Sequence, residues 1–454
     1  MEHPDWVLKH KAPKTEIRLI RGQYYLYNVT SIWCAEKKRS QKKTLGQVGV
    51  ITQEYGLIPT GKSRKGRVPK GQSKFKEETP IQTNFLDSFD KMEDKRSQRN
   101  QLHTVSEIFL AALAAIICGA EGWQDIQSYA QAKLSFLKKF LPYKNGAPSD
   151  DTFRRFFRSL NPDHFQALFM SWIQGIACQV KAQVIAIDGK TSRRSYDKDD
   201  PASKMLHTVS AFATEARIVL GQQKVDQKSN EITAIPQLLS LLDIKGHIIT
   251  IDAMGCQHQI ASQIIEQEGD YIFSLKGNQS SLSIGVKDYF ENEAFNNELK
   301  TATQLGKGHG RTEKRICTVS SAIQALKAAH PKWKTIKSIC KIESFRTLKG
   351  KTTQETRYYI SSLENPDPQT ALKAIRSHWA IENTLHWILD MSFNEDYSRI
   401  RKGNAPHIMA MLRHIALNLI QQGKQNNVSV KLTRKLCAWN DQLLVQLLTD
   451  KKSS

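Results

Sequence analysis

The pattern of hydrophobic and polar positions is strand-like in the middle of the chain. Short apolar runs bounded by turn-forming residues predict five buried strands, namely QVIAID, LHTVSAFAT, RIVLGQQKV, HIITIDA and DYIFSLKGNQ. The first three follow one another directly. A helix over roughly 233–242, with Pro236 in its first turn, precedes the fourth, and the helix QHQIASQIIEQEG precedes the fifth. This order predicts an α/β fold with a mixed sheet covered by helices.

From residue 84 to 178 the periodicity is helical. VSEIFLAALAAIICGA predicts a buried helix, and GWQDIQSYAQAKLSFLKKFL predicts an amphipathic one. APSDDTFRRFFRSL predicts a third helix that is capped by Ser149. Arg154, Arg155 and Arg158 share one face of this helix, while its phenylalanines face inward. A capped basic helix fits a DNA-reading unit, and it fits an ordinary helical bundle equally well.

Residues 1–60 are basic and strand-like. EIRLIRGQYYLYNVTSIW predicts a β-hairpin, because its first strand alternates and its tyrosines favour extended backbone, and KKTLGQVGVI predicts a third strand. The stretch 61–83 holds glycine, proline and many cations, which is typical of a flexible linker. Such a linker can follow DNA phosphates through Arg64, Lys65 and Arg67, or it can be merely solvated.

Residues from about 280 to 370 predict a β-rich insertion, since strand-like stretches alternate there with polar loops. These stretches are KGHGRTEKRICTV, KTIKSICKIES and QETRYYISSL. Two long helices follow, PQTALKAIRSHWAIENTLHWILDMSF and NAPHIMAMLRHIALNLIQQ, and a basic, partly helical tail covers 424–454. The predicted domains are a β-rich N-terminal segment, a linker, a helical domain, an α/β domain over 179–423 that carries the insertion, and the tail.

The charge of the chain points to a polyanionic partner. There are 66 Lys and Arg against 44 Asp and Glu, a net charge of +22, so we expect nucleic acid first and an anionic membrane surface second. No apolar run has membrane-spanning length, and MEHPDWVLKHKAPK lacks a signal-peptide core, so we expect a cytoplasmic, nucleoid-associated protein. The seven cysteines are scattered without a CxxC pair, which argues against a disulfide framework and a thiolate zinc site.

Three acidic residues are candidates for a metal site. Asp188 and Asp252 each end a predicted strand of one sheet. Glu382 lies on a helix with His378 and His386 four residues to either side, so these three side chains point the same way. Carboxylates gathered in a basic protein repel one another unless a cation joins them, and Mg²⁺ prefers such oxygen ligands. Two such ions about 4 Å apart can activate an attacking oxygen and stabilise a leaving one at phosphorus.

Each of these residues also has an ordinary structural explanation. A strand-end aspartate is often a turn or cap residue, and a helical glutamate usually lies on a solvated face. His378, Glu382 and His386 could form a zinc-type cluster, although no thiolate or fourth ligand is visible. Trp379 and Trp387 stand at helical spacing, which favours a place in the core over a role as base-stacking platforms.

Several stretches resemble bacterial insertion-sequence transposases of the DDE class, in the group that contains the H-repeat-associated proteins. They include GAPSDDTFRRFFRSL, VIAIDGKTSRRSYD, GDYIFSLKGNQ, GHGRTEKR and IRSHWAIENTLHWILDMSFNED, and the resemblance covers roughly three quarters of the chain. It implies an RNase H-like catalytic domain over 179–423, preceded by the helical domain and the basic N-terminal segment. It also implies a metal-binding triad of Asp188, Asp252 and Glu382 that holds two Mg²⁺ ions, with Mn²⁺ as a substitute.

A broader set of relatives carries a Tyr-x2-Arg-x3-Glu-x6-Lys signature around the glutamate. This chain has Ile375, His378, Glu382 and Leu389 at those positions, so only the glutamate is kept. Phosphate contacts are therefore expected from neighbouring residues and from the GHGRTEKR stretch of the insertion. The full set expected to contact DNA is Lys190, Arg193, Arg194, Arg154, Arg155, His309, Arg311, Arg315, Arg376, His378, Asn383, Arg64, Lys65 and Arg67.

The resemblance implies a DNA transposase that binds the ends of an insertion sequence. Water activated at the metal site nicks the DNA, and the freed 3′-hydroxyl then attacks a phosphodiester of the target. The expected partners are double-stranded DNA and a second copy of the chain in a homodimeric synaptic complex, with no membrane partner. Two alternatives stay open, a metal-dependent nuclease or resolvase on the same fold and a non-catalytic DNA-binding protein derived from a transposase.

Overall fold

The computed structural model describes residues 3–20, 23–34, 39–53, 56–59, 92, 94, 96, 101–177, 184–201, 203–226, 230–308 and 310–449. The chain divides into two compact units, Met1–Ile81 with Ser171–Lys181 and Gln82–Met170 with Ala182–Ser454. The segments predicted as a helical domain and an α/β domain thus fall almost entirely within one unit. Arg64, Lys65 and Arg67 of the predicted linker and His309 of the insertion lie outside the described residues.

The first unit contains a four-stranded antiparallel sheet. Its elements are α1 (Asp5–Leu8), β1 (Thr15–Ile20), β2 (Gln23–Cys34), β3 (Arg39–Thr52) and β4 (Gly56–Pro59), and the strands pair in chain order. The predicted hairpin and third strand are confirmed as β1, β2 and β3. A small core of Val7, Ile17, Leu26 and Ile51 lies under the sheet, because the inward positions of β1 and β2 alternate with polar ones.

Residues 101–177 contain five helices. They are α2 (Val105–Ile117), α3 (Trp123–Ala132), α4 (Leu134–Leu137), α5 (Asp150–Ser159) and α6 (Pro162–Ala177). Every residue of α2 is buried, as its unbroken apolar sequence predicts, and Thr104 and Glu107 close its first turn in a capping box. The predicted second helix is interrupted at Lys133, whose φ of −108° and ψ of 21° are not helical.

The predicted cap and faces of α5 are confirmed. The Ser149 side chain accepts a hydrogen bond from the Thr152 amide, and Phe153, Phe156 and Phe157 are buried. Phe157 stacks on Trp123 at 5.5 Å between ring centroids. The arginines of α5 stay on the exposed face, because the three phenylalanines occupy the inward positions of the helix.

A nine-stranded mixed sheet forms the centre of the second unit. Its first five strands are β5 (Val184–Ser192), β6 (Leu206–Ala213), β7 (Ile218–Lys224), β8 (Ile248–Ile251) and β9 (Asp270–Leu275). In space they follow the order β7-β6-β5-β8-β9. Strands β5, β8 and β9 pair in parallel, whereas β6 pairs antiparallel with both of its neighbours, β5 and β7. The predicted α/β class and mixed sheet are thus confirmed.

Helices α7 (Glu231–Leu241) and α8 (His258–Glu266) connect the parallel strands. The expectation for Pro236 is wrong, because α7 begins at Glu231 and Pro236 therefore lies inside the helix. The proline removes one backbone donor from the second turn, and buried Ile235, Leu238 and Leu239 hold the helix in place.

The predicted β-rich insertion extends the same sheet. It comprises α9 (Ser280–Glu291), β10 (Lys300–Gly308), β11 (Arg311–Ser320), α10 (Gln324–Ala329), β12 (Ser338–Leu348) and β13 (Lys351–Ser361). These four strands form an antiparallel ribbon, and β13 joins it to β9 through pairs such as Tyr358↔Leu275. The base of the ribbon is apolar and buried at Cys317, Cys340 and Tyr359, whereas β10 is largely exposed.

The C-terminal part is helical. It contains α11 (Pro368–Ala380), the π-helix Ile381–His386, α12 (Trp387–Ser392), α13 (Ala405–Gly423), α14 (Val430–Trp439) and α15 (Asp441–Thr449). Buried Asn418 of α13 pairs with both backbone groups of Val219 at 2.8 and 2.9 Å, which ties this helix to β7. Over the described ranges, no helix is both long and apolar enough to cross a bilayer.

Candidate active site

The sheet places Asp188 and Asp252 side by side. Ile187 of β5 is in register with Ile251 of the parallel strand β8, so the residue that follows each of them lies at the same level of the sheet. The Gly189 amide donates to Asp188 Oδ1 at 2.9 Å, and the Met254 amide donates to Asp252 Oδ1 at 3.0 Å. Backbone amides therefore orient both carboxylates at this edge of the sheet.

Glu382 comes from the π-helix that continues α11. A π-turn holds one residue more than an α-turn, and such turns are frequent at functional sites. The widened turn is supported by Asn383 Nδ2, which donates to the Trp379 carbonyl at 2.9 Å, and by Thr384 Oγ1, which donates to the Ala380 carbonyl at 2.5 Å. Ile381 is buried while Glu382 is exposed. The apolar side of the turn therefore packs into the protein, and the Glu382 side chain lies on the accessible side.

Three other carboxylates act electrostatically on Asp188. Burial raises the pKa of Asp188 to about 7, whereas the hydrogen bond from Gly189 lowers it. The charges of Asp252, Glu231 and Glu382 raise this pKa further, because each disfavours a second negative charge. Asp252 and Glu382 of the predicted triad therefore lie within electrostatic range of Asp188, as does Glu231, and their joint role as metal ligands stays a prediction.

The two predicted histidines have different neighbours in the site. His378 Nδ1 is 3.1 Å from Thr250 Oγ1, and His386 Nδ1 is 3.6 Å from Asp188 Oδ2. Burial lowers the pKa of both imidazoles, that of His386 to about 3, with nearby Lys190 also lowering the latter. Both imidazole rings are therefore neutral near pH 7. They do not balance the negative charge of the neighbouring carboxylates.

The donor atoms of the site suit a hard divalent cation. Carboxylate oxygens from Asp188, Asp252 and Glu382 are the ligands that Mg²⁺ prefers, and a cation would relieve the repulsion that raises the pKa of Asp188. In this conformation no three His, Cys, Asp or Glu side chains of the described residues are close enough together to hold a metal ion. The zinc-type cluster of His378, Glu382 and His386 is accordingly not formed.

Lys190, predicted to face DNA, instead lies in a buried ion cluster. Its side chain is 9% exposed, and its Nζ lies 2.7 Å from Asp390, 3.4 Å from Asp396 and 3.8 Å from Glu395. Burial alone would lower the pKa of Lys190, but these carboxylates outweigh it and raise the pKa. Arg413 completes the cluster at 3.5 Å from Glu395. The cluster joins β5 to the segment that follows the π-helix.

The next two cations of β5 remain accessible. Arg193 is 79% exposed although it pairs with Asp396 at 3.2 Å, and the Arg194 guanidinium lies 4.7 Å from the ring centre of Tyr397. On α5, Arg154 and Arg155 pair with Asp150 and Asp151 of the first turn while staying largely exposed. Contact of these four arginines with DNA stays a prediction.

A second basic group lies where the ribbon meets α11. Arg311 and Arg315 of β11 share Glu313, at 2.8 and 2.5 Å. Arg376 of α11 donates to Gln304 of β10, and its pKa is lowered by burial and then by the charge of Arg315. The structure thus brings Arg376 close to Arg315, which the sequence places far apart.

The expectation that Trp379 and Trp387 are core residues is wrong. They are 42% and 58% exposed, and the Arg357 guanidinium lies 5.2 Å from the Trp379 ring centre. The inward positions of this region are filled by buried Ile381, Leu385 and Leu389. The tryptophans therefore fall on the outer side of the helix that carries Glu382.

Sequence reasoning missed Glu231 and His207. The two side chains meet at 2.8 Å between Glu231 Oε1 and His207 Nε2, beside the strand that carries Asp188. No motif marks Glu231, which is the first residue of an ordinary helix. The only available signal was the predicted strand order, which places the start of this helix at the edge of the sheet where Asp188 and Asp252 lie.

Comparisons with known proteins agree on one family. A family model described as Transposase DDE domain matches residues 180–419, and one described as DDE_Tnp_1-associated matches residues 86–173. YncI of Escherichia coli O157:H7, which carries a provisional transposase name, is 40% identical over 368 residues, 80% of this chain and 94% of that protein. YhhI of Escherichia coli K12, provisionally named an H repeat-associated transposase, is 40% identical over 351 residues, 76% of this chain and 92% of that protein.

Among solved structures, the piggyBac transposase in a synaptic complex with hairpin DNA aligns over 82% of this chain and 80% of that one. Its TM-score of 0.41 and sequence identity of 10% are too low to support an argument. The sequence matches suffice by themselves, since the DDE model covers more than half of the chain. The chain belongs to the DDE transposase family, in the group of the H repeat-associated transposases.

Proposed function

We propose that this protein is a DNA transposase that cleaves the ends of an insertion sequence and transfers them to target DNA at an RNase H-like active site. The observation that carries the proposal is the joint placement of Asp188 and Asp252 on adjacent parallel strands, with Glu382 close enough to raise the pKa of Asp188. The strand order β7-β6-β5-β8-β9, in which only β6 runs antiparallel to the other four, supports the RNase H-like assignment.

The three carboxylates would hold two Mg²⁺ ions, or Mn²⁺ in their place. Bound ions would supply Lewis-acid activation of the attacking oxygen and stabilisation of the leaving one. Asp188 must lose its proton to serve as a ligand, and its raised pKa makes this loss the pH-sensitive step. His378 and His386 stay neutral, so they leave the carboxylates free to bind cations.

Double-stranded DNA would lie over the exposed cations around this acidic centre. Arg193 and Arg194 follow Asp188 by five and six residues, while Arg311 and Arg315 of β11 and Arg376 of α11 form a second basic group. Cations of this kind neutralise phosphates without reading sequence. Two ends have to be joined in one reaction, so the working assembly is proposed to be a homodimer on DNA.

The test uses purified protein, Mg²⁺ and a labelled duplex that carries the inverted repeat flanking the gene. We expect the wild type to nick the end and join it to a second DNA, whereas Asp188→Ala, Asp252→Ala and Glu382→Ala bind the end without cutting. Glu266→Ala is a matched control, because Glu266 is an exposed glutamate at the end of α8.

Three results would contradict the proposal in different ways. Cutting without joining would identify a nuclease or resolvase. Binding without cutting, in Mn²⁺ as well as Mg²⁺, would identify a non-catalytic DNA-binding protein. Full activity of any of the three alanine variants would remove that residue from the site.

A further inference from the structure

We propose that Glu231 is a fourth carboxylate ligand of the metal site, held in position by His207. The inference rests on the proposed function, because it assigns a further residue to the same site. Glu231 begins α7, and its side chain is 16% exposed. Its carboxylate lies against the backbone of Gly189, the residue that follows Asp188.

The first argument is the close approach of Glu231 to the backbone beside Asp188. A Cβ atom at position 189 would lie 2.1 Å from Glu231 Oε1 and 2.5 Å from its Cδ, so any other residue there would displace the Glu231 carboxylate. The backbone conformation gives no other reason for this glycine, since its φ is not positive. Gly189 is therefore the residue that lets the Glu231 carboxylate lie against the strand next to Asp188.

The second argument is how Glu231 is oriented. Thr191 of β5 is directly opposite His207 of β6, and Thr191 Oγ1 lies 2.7 Å from His207 Nδ1. The other ring nitrogen, Nε2, lies 2.8 Å from Glu231 Oε1. One neutral tautomer satisfies both contacts, with the Thr191 hydroxyl donating to Nδ1 and the Nε2 hydrogen donating to the carboxylate. A histidine in this arrangement fixes the orientation of the carboxylate.

The third argument is the unused oxygen. Oε1 accepts from His207, and no hydrogen bond from a described residue occupies Oε2. Oε2 is not among the buried atoms without a partner, so it is open to water or a cation. A cation bound by Asp188 and Oε2 would satisfy that oxygen and relieve the repulsion at the same time.

The competing explanation is an ordinary acid at a helix N-terminus. Glu231 is in the first turn of α7, where a negative charge interacts favourably with the helix dipole. That interaction needs no contact with another element. It does not explain why the carboxylate occupies the space beside Gly189, or why the acid is tied through His207 to the strand that carries Asp188.

The experiment measures Mn²⁺ binding by the full-length protein without DNA, using electron paramagnetic resonance of the free ion. Glu231→Gln keeps the size of the side chain and an acceptor for His207 but removes the charge. We expect its Mn²⁺ affinity to fall by about 10- to 100-fold, since loss of a residue at a metal site has effects of this size. Glu266→Gln is the control and should bind Mn²⁺ as the wild type does, because Glu266 is exposed and remote in sequence from the site.

Wild-type Mn²⁺ affinity in folded Glu231→Gln would overturn the inference, and so would the absence of Mn²⁺ binding by the wild type. If Glu231→Gln does not fold, Glu231→Asp replaces it. The shorter acid keeps the charge but loses reach, so it too should bind Mn²⁺ more weakly, and undiminished binding would overturn the inference.

DNA cleavage, assayed separately, distinguishes this inference from the proposed function. A wild type that binds Mn²⁺ through Glu231 but never cuts the element end contradicts the proposed function alone. A Glu231→Gln variant that binds Mn²⁺ and cuts as the wild type does contradicts the inference alone.

Discussion

Lys190→Met tests whether the buried ion cluster holds the site together. The substitution keeps the length of the side chain and removes its charge. Around Lys190, Asp396 retains Arg193 and Glu395 retains Arg413, whereas Asp390 loses the cation it contacts within the described residues. Breaking a buried ion pair lowers the free energy of unfolding by about 3–5 kcal/mol. Asp390 is 31% exposed and can be partly hydrated, so we expect a loss at the lower end of this range, about 3 kcal/mol.

Arg193→Met is the matched control. Arg193 contacts the same Asp396 at 3.2 Å, but its side chain is 79% exposed, and an exposed pair contributes less than about 1 kcal/mol. Both variants are compared by thermal and urea unfolding. We expect the Lys190→Met midpoint to fall by about 6 °C or more and the control midpoint to change little. Equal, small effects of the two substitutions would refute the reasoning.

The loss in Lys190→Met should depend on pH. Burial raises the pKa of Glu395 in the wild type, while Arg413 and Lys190 lower it, so removing Lys190 must raise this pKa further. A carboxyl group whose pKa is higher in the folded chain adds stability at low pH and loses it as the pH rises through the folded-state pKa. The stability difference from wild type should therefore shrink as the pH is lowered from about 8 towards 5.

Three further predictions concern the site. Mn²⁺ affinity should fall by up to about tenfold per pH unit below the pKa of Asp188, about 7, because the ion displaces a proton, and a flat profile in a titration would contradict this. Trp387→Ala should weaken binding to DNA with unpaired end bases about tenfold in a fluorescence assay, since one stacked base contributes about 1–3 kcal/mol. Trp439 of α14 is 71% exposed, and the control Trp439→Ala should have no effect. Gly189→Ala should cost about 1–3 kcal/mol in unfolding experiments through its clash with Glu231, and adding Glu231→Ala should restore most of the loss.

Local signals were enough to predict much of the fold. The apolar runs before Asp188 and Asp252 predicted two buried strands, and the structure pairs them in parallel. The expectation that Asp188 ends its strand is wrong, because β5 continues to Ser192 through its pairing with β6. Ser149 before two aspartates predicted a helix start, and the phenylalanines of that helix predicted its buried face. These features follow from the sequence by itself because each depends on residues a few positions apart, through backbone geometry or the separation of apolar from polar side chains.

The remaining features depend on contacts between segments far apart in the chain. Only the tertiary structure buries Lys190 against Asp390, turns Trp387 outward and widens the helix at Glu382. It also places Glu231 over Gly189, a juxtaposition that requires the start of one helix to meet a strand some forty residues earlier. Charge and periodicity describe a residue's own segment, whereas burial and ion pairing are set by whichever segment packs against it.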